Sequence, residues 1–503
     1  MSKKLAPLEK AFRVKMRFLS QNKLLFLVFL ASIVRLLMLG TYPLMDTTEA
    51  RYGEIGRFMA ESGDWITPWF RPGIPFWAKP PLSFWCTALS FKLFGVNEFT
   101  ARLPHWVLGL IGGWLVWDLG RRRSSQEGVI AVCLLTGCLI YYFSSGAVMT
   151  DMALSTGLTL SMWSFWLAVQ PRQNLHLRNS ASWLFFVSLA WGLLAKGPLA
   201  IVLAGLSILA WLAVNRSYWG LVRKLPWIRG FIVTSILAIP WYFAAEQKTP
   251  GFLNYFLIGE HINRYLVPGW HGDRYGHAHI YPHGTIWIFL LLMLIPWSVL
   301  LPIFFGIRKN LPPRPSMEQS TISSASISWR NYLLSWGIMP ALFFTFAGNI
   351  ILPYVLPEIA ALALLGAYYL VRYDPRVVDQ LLSTGLSLVI ILSVVFIFVF
   401  PLTGYGDRKS ERSLIRYASS IGGNGSDVVY LGKYPYSASF YSKGRVYEAK
   451  DLLDLRARLD FDSSVFVAID NDYSHDIDNV ISSRLKKLKT FPSYTLYAVR
   501  SPS

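Results

Sequence analysis

The chain has 503 residues, of which 53% are hydrophobic and 20 are Trp, and its formal net charge is +19. This composition excludes an ordinary soluble globular protein and a disordered chain. In a soluble protein so basic a charge would suggest nucleic acid. Here the basic residues sit in short segments between apolar runs, so membrane orientation accounts for them and no nucleic-acid partner is expected. Cys86, Cys133 and Cys138 offer neither a disulfide framework nor zinc-finger spacing.

The N-terminus is basic (Lys3, Lys4, Lys10, Arg13, Lys15, Arg17, Lys23) and leads into the apolar run 24–41. No small-residue cleavage site follows, which predicts an uncleaved first span with its N-terminus inside. Behind it lies the stretch around which the chain is organised, Asp46 to Pro81, too polar to cross a bilayer. Within it Thr48–Glu61 reads as an amphipathic helix, with Ile55, Phe58 and Met59 on one side and Arg51, Glu54 and Glu61 towards the other. Trp65, Trp69, Phe70, Phe76 and Trp77 follow, an aromatic density suited to headgroup level. Leu82–Phe94 is apolar but short and carries Ser83, Thr87, Ser90 and Lys92, so it is expected to be an interfacial helix.

Ten further apolar stretches follow the first: 104–120, 128–144, 152–169, 182–195, 198–214, 230–245, 285–305, 332–347, 354–371 and 381–401. Several fall short of the roughly 20 residues a bilayer core requires. With the N-terminus inside, alternation places Arg121–Arg123, Arg172/Arg178, Arg216/Arg223/Lys224/Arg229, Arg308/Lys309 and Arg372/Arg376 on the cytoplasmic side. The opposite side receives the first loop, Thr150-Asp151, Lys196-Gly197-Pro198, the loop 246–284 and the segment 348–353. Residues with chemical potential therefore converge on one face, as an extracytoplasmic active site requires.

After Phe400 the texture turns polar. Strands are expected at Asp427–Leu431, Arg445–Glu448, Val465–Ile469 and Tyr494–Val499, and helices at Glu411–Ile421, Lys450–Leu459 and Asp476–Leu488. The predicted architecture is a polytopic α-helical membrane protein of about 11 spans, residues 1–403, with interfacial helices in its first outer loop. A small extracytoplasmic α/β domain, residues 404–503, completes it, with a scaffolding or acceptor-recognition role favoured over a catalytic one.

Several stretches resemble the glycosyltransferase-C superfamily, specifically the bacterial protein-mannosyltransferase-like family that includes the lipid A aminoarabinose transferases. They are EARYGEIGRFMAESGDWITP, FWAKPPLSFW, MTDMALST, LLAKGPLAI, IPWYFA, PGFLNYFLIGEHINRYL, IPWSVLLP and LPYVLP, in consistent order through the membrane region. The resemblance implies an inner-membrane enzyme that takes a sugar from a polyprenyl-phosphate donor and transfers it on the extracytoplasmic, periplasmic face. An envelope glycolipid (lipid A or lipopolysaccharide core) is the expected acceptor, with protein O-glycosylation as the alternative. A lipid or sugar transporter is the reading outside enzymes, and the internal repeats it calls for are not evident. Family members commonly carry Asp directly before the Glu of the first loop, where this chain has Thr48; Asp46 is the nearest Asp. Ala78 and Asn349 stand where the aminoarabinose transferases have Glu and a basic residue.

Sugar transfer from a lipid phosphate needs fixed cations for the leaving phosphate and, where the acceptor is not already ionised, a general base. Lys79, in a neighbourhood stiffened by Pro80-Pro81, leads the phosphate candidates. Arg264 and His261 are expected to point the same way from a short helix, Tyr255–Leu266, and Lys196 is the fourth. The bland alternative for each is an anchor reaching to headgroups. The resemblance places the principal acid in the first loop, leaving Asp46 and Glu49 as rivals, and matches Asp151 to a second acidic position. Asp151 also reads as part of a helix cap. The histidines between 261 and 283 invite a divalent metal, with Asp273 or Glu260 to complete a site, but no strict ligand spacing is met, and no cofactor is required by this reading.

Overall fold

The computed structural model describes residues 21–171, 173–276, 279–307, 324–423, 427–461, 465–472 and 484–499. The basic residues from Lys3 to Arg17, Arg172, His277, Arg308, Lys309 and most of the expected helix Asp476–Leu488 lie outside the described residues. The chain divides into two compact units. One comprises Met1–Leu37, Pro75–Ser83 and Leu103–Val394; the other comprises Met38–Ile74, Phe84–Arg102 and Val395–Ser503. Most of the first loop thus groups with the C-terminal residues, where the sequence suggested a single boundary between 403 and 404.

The first unit is helical, and each of the eleven apolar stretches overlaps a helix. Among the described residues four helices are long and apolar enough to cross a membrane: Gln21–Met38, Trp227–Lys248, Leu352–Leu370 and Pro375–Thr403. Two bent pairs bring that number to six if each is one span. Other helices are diluted by polar groups that their neighbours satisfy. Thr150–Ala168 carries Ser155, Thr156 and Ser161, all buried; Ser155 donates to the Leu356 carbonyl and Thr156 to the Leu108 carbonyl. Such hydroxyls lower the hydropathy of a helix without exposing a polar atom to lipid. The stretch expected at 128–144 breaks at Cys138 into Ser125–Gly137 and Leu139–Ser144, and that at 285–305 bends by 78° between Thr285–Met293 and Trp297–Gly306.

Large aromatics fill this unit's core: Trp211, Trp329, Trp336, Tyr332, Phe165 and Phe186 are fully buried. A buried indole or phenol stays favourable only while its polar tip has a partner. Trp211 donates to the Ser328 carbonyl, Trp336 to that of Pro357, and the Tyr332 hydroxyl to that of Met162. Thr150–Ala168 and Leu175–Lys196 form a hairpin whose close approach is set by Gly157, where a Cβ would lie 2.4 Å from the Trp191 ring.

In the second unit the first-loop helix runs from Thr48 to Ser62 and ends on Gly63, whose φ of 73° and N–H to the Met59 carbonyl make a left-handed cap. Its polar side is solvated only in part: Glu61 is exposed and Arg51 half-buried. Glu54 and Arg57 are buried, paired at 2.6 Å, and the Ser439 hydroxyl donates to Glu54 at 2.6 Å. The helix interior faces the expected short helix, Leu82–Phe94: a Cβ on Gly56 would meet Thr87 at 2.8 Å. Amphipathicity alone does not distinguish water from a packed partner that satisfies the charges.

The C-terminal residues form a five-stranded mixed sheet. Its strands are β1 (Val428–Leu431), β2 (Val446–Ala449), β3 (Phe466–Asp470), β4 (Leu485–Thr490) and β5 (Tyr494–Val499), in the order β2-β1-β3-β5-β4. β1 pairs in parallel with β2 and β3, while β5 runs antiparallel to β3 and β4. Leu414, Ile415 and Ala418 of helix Arg412–Gly422 cover one face; Leu455 and Leu459 of helix Leu452–Phe461 cover the other. β4 corrects an expectation. Leu485–Leu488, read as the end of a helix, is strand, because Leu485 points into the sheet core while Lys486 and Lys487 are exposed beside β5.

Candidate active site

In the first unit a cavity of about 480 Å³ joins four of the residues singled out by sequence: Lys79, Lys196, His261 and Arg264 all line it. Its polar end also holds Glu260, Asn349 and Tyr354, and its remaining wall is apolar, including Leu199, Val202, Leu257, Leu266 and Phe343. A pocket with clustered cations against an apolar wall suits a lipid that ends in an anion.

Local chain geometry explains how these groups meet. Lys196 is the last residue of helix Leu175–Lys196, and Gly197 follows with φ 80°. A Cβ on Gly197 would lie 2.6 Å from Phe256 and 2.9 Å from His261 Nε2, so glycine is what permits this approach. The segment Asn254–Asn263 is a wide π-type helix followed by Arg264–Leu266, rather than one regular helix. Its geometry sets Glu260, His261 and Arg264 along the cavity. Asn349 ties the segment in place, donating to the carbonyls of Arg264 at 2.6 Å and Val267 at 3.1 Å. Asn349 is therefore a brace for this segment.

The centre of the cluster is Glu260, which sequence reasoning weighed only as a metal partner. Its side chain is 2% exposed and accepts from Lys79 Nζ at 3.0 Å, Arg264 Nη1 at 3.2 Å and the Tyr255 hydroxyl at 3.2 Å. Burial would raise its proton affinity, but Lys79 and Arg264 outweigh burial and hold the carboxyl below its usual range. The i, i+4 spacing of Glu260 and Arg264 was the available signal. Arg264 also reaches Asp273 at 3.1 Å.

Lys196 forms a buried ion pair with Asp151 and lies 4.7 Å from the centre of the Tyr354 ring. Asp151 stands in the first turn of its helix and its partner is the lysine ammonium. His261 contacts the Phe256 carbonyl at 2.8 Å and the Lys196 carbonyl at 3.2 Å through its two ring nitrogens. Burial lowers its proton affinity, with Lys79 adding to the effect against the two carbonyl contacts and Glu260. Among the described residues no group of three His, Cys, Asp or Glu side chains is arranged to hold a metal, and His271, His279 and His283 are exposed.

Asp46 and Glu49 belong to the second unit and are not among the residues lining this cavity. Glu49 pairs at 2.7 Å with Arg102, whose fully buried guanidinium also donates to the carbonyls of Leu39, Tyr42 and Pro43. Asp46 accepts from the hydroxyl and the N–H of Ser437, at the start of helix Tyr436–Ser442. Burial raises its pKa to about 6 against the lowering effect of Ser437 and Arg51. The two rivals thus differ in surroundings: burial raises Asp46, and Glu49 is held by an arginine.

Comparison with known proteins gives a consistent picture. The family model for dolichyl-phosphate-mannose-protein mannosyltransferase matches residues 23–256. The undecaprenyl phosphate-alpha-4-amino-4-deoxy-L-arabinose arabinosyl transferase of Edwardsiella ictaluri is 31% identical over 337 residues, 65% of this chain and 56% of the relative. Its counterpart in Erwinia tasmaniensis is 29% identical, over 69% of this chain and 59% of the relative. The chain therefore spans less than two thirds of the length of these curated relatives. Among solved structures, ArnT from Cupriavidus metallidurans bound to undecaprenyl phosphate superposes with a TM-score of 0.74 at 18% identity, covering 96% of this chain and 99% of that one. That likeness is one of fold. In sequence and in fold, this chain resembles the protein-mannosyltransferase-like glycosyltransferases, as its motifs indicated.

Proposed function

We propose that this chain is an integral membrane glycosyltransferase that moves one monosaccharide from a polyprenyl-phosphate donor to an envelope glycolipid, lipid A or lipopolysaccharide core. The observation that carries this reading is the cavity whose apolar wall ends at Lys79, Arg264 and Lys196. Similarity to aminoarabinose transferases that are named for an undecaprenyl phosphate donor supports the donor class.

In the proposed reaction the bond from the anomeric carbon to the phosphate oxygen breaks, and its electron pair stays on the phosphate. A new bond forms from an acceptor oxygen to that carbon. The acceptor proton passes to a base, or is already absent if the acceptor is a phosphate. Lys79 and Arg264 are assigned to the charge growing on the leaving phosphate, with Lys196 and His261 in supporting roles, and fixed cations in a poorly hydrated site suit that task. Asp46 is assigned as the base in preference to Glu49, and Asp151 as the residue that positions Lys196. The positive charge comes from the chain's own side chains, so no cofactor is assigned.

The proposal places about 11 spans in the bacterial inner membrane, with the N-terminus cytoplasmic and residues 404–503 periplasmic as an accessory α/β domain. Protein O-glycosylation is the second reading, favoured by the mannosyltransferase family match over residues 23–256. Mass spectrometry of lipid A, core and protein fractions from deletion and wild-type cells separates the two. Loss of a sugar from a glycolipid is expected; loss confined to proteins would overturn the acceptor assignment.

A further inference from the structure

The polar end of the cavity is electrically balanced before any ligand arrives. Lys79, Arg264 and Lys196 face Glu260, Asp273 and Asp151 within ion-pair distance, three cations against three carboxylates. A donor phosphodiester brings one negative charge, and the polyprenyl phosphate left after transfer carries up to two. An anion cannot take the full positive charge of Lys79 and Arg264 while Glu260 holds both. Glu260 in turn has an anchor that is not a cation, the Tyr255 hydroxyl at 3.2 Å.

Resting on the proposed phosphate role of Lys79 and Arg264, we propose that Glu260 is an internal counter-ion that exchanges with the lipid phosphate. It yields the two cations when the donor binds and, by competing for them, weakens the hold on the more highly charged product. Glu260 is thus a positioning residue for turnover, acting through Lys79 and Arg264. Without it, the product would sit opposite two cations with no competitor, and its release would limit the rate.

Replacing Glu260 by Gln keeps the side-chain shape and the Tyr255 contact but removes the competing charge. The expected result is that undecaprenyl phosphate binds Glu260→Gln protein in nanodiscs roughly tenfold tighter or more than wild type. Turnover should show a burst near one equivalent and then a slow steady state, where wild type shows no burst. Glu260→Asp, with the carboxylate drawn back, should shift product binding in the same direction by less, and it decides the matter if Glu260→Gln fails to fold. Equal or weaker product binding in the folded variants, or a loss without a burst, would overturn the proposal. Lys79→Met separates this from the parent reading: undecaprenyl phosphate bound by Lys79→Met as tightly as by wild type would remove the phosphate assignment itself.

Discussion

The ion pair between Lys196 and Asp151 permits a sharp test, because both side chains are almost out of solvent, at 8% and 7% exposure. Lys196→Met leaves the Asp151 carboxylate buried with its principal partner gone, and Asp151→Asn leaves the ammonium in the same position. Breaking a buried pair from one side costs about 3–5 kcal/mol, whereas replacing both partners by neutral groups of similar size costs much less. The double variant is therefore expected to be more stable than either single one, with a coupling on the order of 2 kcal/mol or more. Unfolding in mixed micelles, monitored by tryptophan fluorescence, measures all four proteins of the cycle. At equal folded fraction, the double variant should retain more transfer activity than Lys79→Met, since the charge of Lys196 is largely committed to Asp151. Additive losses of stability would refute the reasoning, because they would mean that the two groups do not depend on each other.

Further expectations concern the first-loop acids and the sidedness of the protein. Asp46→Asn should abolish transfer to a hydroxyl acceptor, and the wild-type rate should fall below pH 6, since Asp46 must be ionised to act as base and its pKa is raised to about 6. The contribution of Asp46 to stability has the opposite slope, being full below pH 3.8 and lost as pH rises through about 6; a stability–pH curve that is unchanged in Asp46→Asn would contradict its burial. Glu49→Gln should chiefly lower stability by weakening the seat of Arg102, which thermal unfolding reads directly. Single cysteines at Ser62 and Ser420, both exposed, should react with an impermeant thiol reagent in outer-membrane-permeabilised cells, and one at Gly220, where added bulk meets nothing, should not. Reaction at Gly220 with Ser62 silent would invert the topology.

What sequence made legible follows from what local pattern can carry. Apolar runs located the helices of the first unit, and the positions of Lys79, Lys196, His261 and Arg264 were recognised from motifs that the fold then brings to one cavity. Glu260 was undervalued because its importance arises from Lys79, 181 residues away, which no local window contains. The burial of Glu54 and Arg57 was missed for the same reason: Ser439 satisfies Glu54 from 385 residues away. The rivalry between Asp46 and Glu49 could not be weighed from a four-residue stretch, since Ser437 and Arg102 distinguish them. The β4 error has another origin. LKKLKT places its leucines three apart, which fits a helical stripe as well as a strand paired only at one edge.

The central claim, that Lys79 receives the leaving phosphate, is tested most directly by single-turnover transfer from a defined polyprenyl-phosphate sugar with purified wild-type and Lys79→Met protein at equal folded amounts. Loss of one preorganised donor typically lowers the rate by about 10²–10³, and Lys79→Arg should recover only part of it, because a planar fork does not reproduce a compact ammonium. The account predicts that loss in folded Lys79→Met protein; full activity there would contradict it.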